Sequence, residues 1–259
     1  MSIAIIPARM GSSRFPGKPL APIQGIPMIG HCYFRTVMSR RLDATYIATC
    51  DDEIAAYARM IGAPCIMTSS AHERATDRIA EAMIKIEGET GKCHPIIVLM
   101  QGDEPMVRPE MLDLAIAALE AAEDADVVNL MAPIDDLEDF EDANEVKVVV
   151  SPDDYALYFS REPIPSRRKG VLDGPRLKQV CIIPFRRDYL LAYNATPQTP
   201  LEKIESVDMM RVIEAGRRIK MAMSPFTTYA VDTPEDLTFV DGLMAGDELL
   251  PKYRDKARA

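Results

Sequence analysis

Ser2-Ile3-Ala4-Ile5-Ile6-Pro7-Ala8-Arg9-Met10-Gly11-Ser12-Ser13-Arg14-Phe15-Pro16-Gly17-Lys18-Pro19-Leu20 stands at the head of the sequence. Ile3, Ala4, Ile5 and Ile6 form a short apolar run that reads as a buried strand. The chain then changes character at once. Arg9, Arg14 and Lys18 put three cations into ten residues. Gly11, Ser12 and Ser13 let the backbone come close to a ligand and turn N–H groups toward an anion. A buried strand running straight into a basic, glycine-bearing loop is how an α/β sheet begins, and ligands of such sheets bind beyond the carboxyl ends of the strands. The loop suits a polyphosphate whose charge must be neutralised as pyrophosphate departs. It contains neither GxxxxGK[ST] nor GxGxxG, so it is not a Walker loop or a dinucleotide fingerprint. Its other reading is an exposed basic turn.

Outward from this stretch, apolar strands alternate with amphipathic helices. The spacing predicts helices over 28–41, 52–61, 75–86 and 109–122, and strands over 45–49, 63–68 and 96–101. This rhythm gives an open, mostly parallel sheet with helices on both faces. After about residue 124 the rhythm changes. Strands are expected at 127–132, 146–150, 155–159 and 180–185, a long loop at 162–178, a helix at 200–214 and a strand pair over 219–231. We read 1–259 as one domain in which about 133–200 form an extension that closes a site or pairs subunits. Tyr155, Leu157 and Phe159 alternate with Ala156, Tyr158 and Ser160, leaving both faces largely apolar, and this predicts a homodimer.

Composition narrows the partners. The chain has 259 residues, 47% of them hydrophobic and 27% charged, with a net charge of −10. Such a chain buries a sizeable core and has no general attraction for nucleic acid or anionic lipid. Any anionic ligand must therefore be met by a local cationic cluster. Five cysteines at 32, 50, 65, 93 and 181 have no metal-ligand spacing and read as buried free thiols of a reducing cytoplasm. No signal peptide or membrane span is legible.

Two further stretches carry chemistry. Met100-Gln101-Gly102-Asp103-Glu104-Pro105 ends a hydrophobic strand. There Asp103 either holds a hard cation or caps the turn, and Gly102 permits a tight approach. In Val231-Asp232-Thr233-Pro234-Glu235-Asp236-Leu237, Thr233 N-caps a helix with Pro234 first and Asp236 third. That leaves Asp232 to point inward as a second carboxylate for magnesium. His31, His72 and His94 sit in unrelated contexts, so no histidine nucleophile is expected.

These runs, with Val146-Lys147-Val148-Val149, Tyr155-Ala156-Leu157-Tyr158-Phe159-Ser160-Arg161 and Thr199-Pro200-Leu201-Glu202 in the same order, resemble the 3-deoxy-manno-octulosonate cytidylyltransferases (CMP-Kdo synthetases) over nearly the whole chain. The resemblance implies a Rossmann-like nucleotidyltransferase domain with a smaller strand-rich dimerisation extension. It implies a cytoplasmic enzyme that takes CTP and a small acidic acceptor, with Mg2+ on Asp103 and Asp232. Arg9, Gly11, Ser12, Arg14 and Lys18 would hold the phosphates, His72, Thr76 and Arg78 would lie by the cytosine, and Gln101 would serve both substrates.

The acceptor side departs from the family pattern. Gln179-Val180-Cys181-Ile182-Ile183 stands where the family has a His-Leu-Gly-Ile-Tyr-like run, and Asp208-Met209-Met210-Arg211 where it has Glu-Gln-Leu-Arg. Outside the acceptor pocket, Arg74-Ala75-Thr76-Asp77-Arg78 stands where the family has Ser-Gly-Thr-Glu-Arg. Gln179, Ile183, Phe185, Glu205, Asp208 and Arg211 are the expected acceptor-pocket residues, with Arg186, Arg211 or Arg167-Arg168-Lys169 available to an anion. Lost hydrogen-bonding groups weaken a polyhydroxy acid. The resemblance implies cytidylyl transfer to a 3-deoxy-manno-octulosonate-type acid, and the altered pocket predicts that the unmodified sugar acid is a poor substrate beside a smaller or differently substituted acid. The alternatives are another acid, such as a modified ulosonate or phosphonoformate, or a nucleotide-binding regulator without turnover.

Overall fold

All seven residues of β1 (Ser2–Ala8) are buried, as expected of a parallel strand covered on both faces. The computed structural model describes residues 1–11, 14–166 and 174–257. Beyond β1 the chain forms β2 (Pro22–Ile23), β3 (Ile26–Pro27), α1 (Met28–Thr36), β4 (Ala44–Thr49), α2 (Asp52–Met60), β5 (Cys65–Met67), α3 (Ala75–Thr90), β6 (Ile96–Met100) and α4 (Pro109–Ala121). Strands lie in the order β5-β4-β1-β6, all parallel. This is the α/β sheet expected from the rhythm, and its carboxyl edge carries the loops that follow Ala8, Thr49 and Met100.

Then come β7 (Val127–Pro133), α5 (Leu137–Glu141), β8 (Lys147–Val150), β9 (Ala156–Ser160), β10 (Leu177–Val180), β11 (Ile182–Arg186), α6 (Arg187–Asn194), α7 (Pro200–Glu205), α8 (Met209–Glu214) and β12 (Ile219–Met223). Here the order is β11-β7-β10-β8-β9 with antiparallel pairing at β7, β8 and β10, while β12 runs parallel to β7. The chain returns through α9 (Pro234–Met244) to α10 (Arg254–Ala257). Two compact units result: Met1–Asp113 with Thr228–Ala259, and Leu114–Thr227. No helix among the described residues is long and apolar enough to cross a membrane.

Several boundaries differ from the sequence reading, each for an identifiable physical reason. The helix expected over 28–41 ends at Thr36, because Asp113 captures the following turn. Its Oδ1 accepts from Ser39 Oγ at 2.6 Å and from the N–H groups of Arg40 and Arg41 at 3.0 and 3.1 Å. The helix expected over 200–214 breaks at Ser206, whose φ of 53° is left-handed. Just before it, the Glu205 carboxylate is drawn to Tyr158 and Ser160. The single strand expected over 180–185 is two, β10 and β11, separated at Cys181, and the loop expected over 162–178 ends early because Leu177 and Lys178 already pair with β7. Only β12 forms in 219–231, since Ser224 Oγ accepts from Phe226 N at 3.1 Å and turns the chain away. Of the five thiols only Cys32 is buried, and Cys93 is exposed.

A core cluster of Ile23, Met28, Val231, Val240 and Met244, joined by Phe15, Met106, Tyr229 and Leu237, ties α9 to the β2–β3 turn. Arg35, 1% exposed, reaches from α1 to Tyr253 Oη at 3.0 Å and to the Val107 carbonyl at 3.4 Å. Burial of this kind secures the segment after β6 and the C-terminal segment to one helix.

Candidate functional site

The described ends of the basic loop are anchored. Gly17 N donates to the Met10 carbonyl at 3.0 Å, and Met10 N donates to Asp51 Oδ2 at 2.8 Å. Gly17 has φ 78°, a left-handed conformation that glycine adopts without strain. It N-caps the short helical turn Lys18–Leu20, so Lys18 is delivered by backbone geometry rather than by its own flexibility.

Asp103 is delivered from the other side. A Cβ at Gly102 would stand 2.9 Å from the Pro7 carbonyl oxygen, so only glycine lets this segment cross β1 so closely. The Asp103 carbonyl accepts from Val231 N at 2.9 Å, and buried Glu104 accepts from Thr228 Oγ1 at 2.6 Å. These two bonds stitch the segment after β6 to the segment before α9. Asp232 is then fixed by the cap of α9: Asp236 Oδ2 accepts from Asp232 N at 2.9 Å and Thr233 N at 2.8 Å, and Thr233 Oγ1 accepts from Asp236 N at 3.2 Å. The helix-start reading of Thr233, Pro234 and Asp236 holds, and it leaves the Asp232 side chain directed elsewhere.

That side chain meets the basic loop. Lys18 Nζ donates to Asp103 Oδ2 at 2.9 Å and to Asp232 Oδ1 at 3.1 Å, and Arg14 donates to the same Asp232 oxygen at 3.1 Å. Burial would depress the Lys18 ammonium, but Asp103 and Asp232 outweigh it and hold its pKa above the ordinary lysine value. Four of the residues singled out from three separate sequence stretches thus form one ionic cluster. Arg9 is exposed just beyond β1, Gly11 has open space where a Cβ would stand, and Gln101 is half-buried at the end of β6. Ser12 lies outside the described residues.

The 72–78 segment is held tightly. Arg78, 3% exposed, donates to Thr68 Oγ1 at 2.5 Å and to the Ser69 and His72 carbonyls at 3.3 and 3.4 Å. Its guanidinium shapes the 68–72 loop. His72 is bonded to Glu81, whose carboxyl is pulled down to about 2: burial opposes this, but Lys85, Ser69 N and His72 outweigh it. Thr76 is wholly buried in the first turn of α3.

In the second unit the expected acceptor residues fall into two groups. Ile183 and Phe185 are core side chains, with Phe185 packed on Tyr193. Arg211 is 3% exposed and holds Glu202 through two bonds of 2.7 and 2.6 Å, with the Tyr193 ring 4.2 Å from its guanidinium carbon. Burial would lower its pKa, and Glu202 reverses that. Arg186 donates to the Leu119, Ala122 and Ala125 carbonyls at 3.0–3.1 Å, capping the end of α4. Neither arginine is therefore offered to an anion as the sequence reading expected, because each neutralises a local need. Residues 167–169 lie outside the described residues. Glu205 accepts from Tyr158 Oη, Ser160 Oγ and Arg161 N, and the Asp208 carbonyl accepts from Tyr193 Oη. Gln179 is half-buried, its Nε2 donating to Asn129 Oδ1 at 2.6 Å.

Sequence reasoning missed Asp51, Glu104, Thr228, Asn129 and the bond from Asp232 N to Asp236. All five act through partners at least four positions away in sequence, most of them in other elements. Only the Asp236 cap had a local signal.

Among the described residues no group of three or more His, Cys, Asp or Glu is placed to hold a metal. Two carboxylates converging on one cation do fit magnesium, which takes one or two carboxylates and completes its shell with substrate phosphates and water.

A cytidylyltransferase family model matches residues 3–219. The 3-deoxy-manno-octulosonate cytidylyltransferase of Geobacter metallireducens is 42% identical over 244 residues, 90% of this chain and 94% of that protein. That of Syntrophobacter fumaroxidans is 40% identical, covering 95% of this chain and 97% of its own. A solved CMP:2-keto-3-deoxy-manno-octonic acid synthetase complexed with CTP matches with TM-score 0.86 at 37% identity, covering 94% of this chain and 98% of that one. A cytidylyltransferase from Leptospira borgpetersenii, at 16% identity and TM-score 0.63, shares the fold.

Proposed function

The chain belongs to the 3-deoxy-manno-octulosonate cytidylyltransferase family, and on that premise we propose that it transfers the cytidylyl group of CTP to a sugar acid of the 3-deoxy-manno-octulosonate type, releasing pyrophosphate. The observation that carries the reading is the convergence of Arg14 and Lys18, a phosphate-binding pair, on Asp103 and Asp232, a metal-binding pair.

The acceptor hydroxyl attacks the α-phosphorus in line with the departing pyrophosphate. This chemistry needs alignment and charge stabilisation rather than a protein nucleophile. Arg9, Arg14 and Lys18 stabilise the leaving phosphates. Asp103 and Asp232 would hold Mg2+, which when bound supplies charge neutralisation at the triphosphate and acidifies the attacking hydroxyl. Two of the histidines have other partners: His31 is buried against Tyr253 and the Ile23 carbonyl, and His72 is bonded to Glu81. That supports direct transfer without a histidine intermediate.

The acceptor deserves a second reading, a differently substituted or smaller acid. Gln179 replaces the family's histidine and is held by Asn129, while Arg186 and Arg211 are committed elsewhere. An acceptor screen with CTP, Mg2+ and a pyrophosphate-release readout decides between the two. It should include the unmodified sugar acid, modified ulosonates and phosphonoformate. Efficient turnover of the unmodified acid with rivals inert sinks the second reading, and no pyrophosphate from any acid sinks the first as well.

We also infer a homodimer paired through the strand-rich 133–200 region, supported by Leu157, 57% exposed on β9. Light scattering at micromolar concentration should give twice the chain mass, and a monomer contradicts it.

A further inference from the structure

The cation that joins Asp103 to Asp232 is a side chain of the protein itself. Lys18 Nζ lies within 3.1 Å of both carboxylates, with its side chain 12% exposed. Arg14, 48% exposed, shares the Asp232 oxygen. Two of the three cations assigned to the phosphates therefore sit on the two carboxylates assigned to the metal. Magnesium takes its oxygens at about 2.0–2.1 Å. An ion held by both aspartates would lie near the ammonium that they already hold, and a divalent and a monovalent charge at short range repel. Lys18 cannot simply vacate, because a mostly shielded ammonium without a counter-charge is poorly solvated. Nor can the aspartates stand without a cation, because two neighbouring carboxylates repel. Each partner must be exchanged for another.

We propose that Lys18, seconded by Arg14, is the resident counter-ion of the Asp103–Asp232 pair, and that metal and triphosphate enter by a single exchange of ionic partners. The metal takes the carboxylates as the ammonium and guanidinium pass to the phosphates. The exchange makes metal and nucleotide binding mutually dependent, since any coupling between two sites is reciprocal. It also gives Lys18 two opposed effects. Its charge weakens binding of metal alone and strengthens binding of the metal–nucleotide complex. A lysine serving only as a phosphate ligand lacks the first effect. This inference rests on the metal–triphosphate reading of the site.

The test is titration of the full chain with Mn2+, followed by electron paramagnetic resonance, without nucleotide. We expect Lys18→Met to bind Mn2+ roughly tenfold more tightly than the parent chain. Lys18→Arg keeps the charge and should show no such gain, and the double variant Lys18→Met, Asp103→Asn should lose it. Lys18→Gln supplies the same comparison should Lys18→Met fold poorly, with circular dichroism and melting as the check. Unchanged or weaker Mn2+ binding in the folded, charge-removed variants overturns the exchange. A parallel titration with CTP separates this failure from that of the underlying reading. If Mn2+ binds with CTP and depends on Asp103 while Lys18→Met gains nothing, only the exchange falls. If Asp103→Asn changes nothing with CTP present, the metal site falls and the exchange with it.

Discussion

One ionic cluster in each unit is held in a way opposite to the other. In the first, Arg14, Asp103, Asp232 and Lys18 have side chains 48%, 26%, 19% and 12% exposed, and the ammonium divides itself between two acids. In the second, Arg211 and Glu202 are 3% and 0% exposed and form a two-bond pair, with further bonds from the guanidinium to the Tyr193 and Thr196 carbonyls. Both are arginine or lysine facing carboxylate. One set is partly open to water, so a lost partner costs less there; the other is sealed where an unpaired charge is prohibitive. The number of charges in a segment therefore says little about ligand binding, and the decisive property is whether each charge can change partners.

The largest expected effect tests the exchangeable set. Asp103→Asn and Asp232→Asn should each lower turnover by roughly a thousandfold or more while the melting temperature shifts only slightly, because Asn keeps the shape and removes the charge a hard cation needs. Steady-state rates across a magnesium series beside a melting curve check this. Wild-type rates for Asp232→Asn at low magnesium would reduce that residue to a helix-start position.

The sealed set should behave in reverse. Arg211→Ala leaves Glu202 buried without its partner and should cost about 3–5 kcal/mol of stability, read by urea unfolding. A cost near zero would mean that the pair is as loosely held as the cluster around Lys18.

His31 shows whether sealing follows burial rather than location, since it lies in the first unit. Burial drives its pKa down from 6.5 to about 4, and Nε2 donates to the Ile23 carbonyl while Tyr253 Oη donates to Nδ1. Between those two values the unfolded chain binds a proton that the native chain refuses. The contribution is whole above pH 6.5 and is lost as pH falls from 6.5 toward 4, by about 2–4 kcal/mol. Unfolding free energies across pH 4–8, compared with a His31→Phe variant whose profile should be flatter, measure it.

The smallest effect concerns the stitch beneath the Asp103–Asp232 pair. Thr228→Val removes the hydroxyl that Glu104 accepts and should cost about 1–2 kcal/mol. It should also raise the magnesium concentration for half-maximal turnover, and Thr228→Ser should restore both. A loss of stability with unchanged magnesium dependence would confine the bond to folding.

The sequence by itself determined the parallel sheet, the loops at its carboxyl edge and the four charged residues of the cluster. A short, β-branched apolar run such as Ile3 to Ile6 reads as a buried strand, and a glycine-bearing basic turn after it is read from local spacing alone. Tertiary structure decided the rest. That Lys18 lies between Asp103 and Asp232, that Glu104 reaches Thr228 and that Arg211 is spent on Glu202 are matters of distance between segments separated in sequence. So too are the early stop of α1 at Asp113 and the break between α7 and α8. Propensity and spacing report what a residue can do locally. Which partner it finds is fixed only when packing brings distant segments within hydrogen-bonding reach and removes the water that would otherwise have served both.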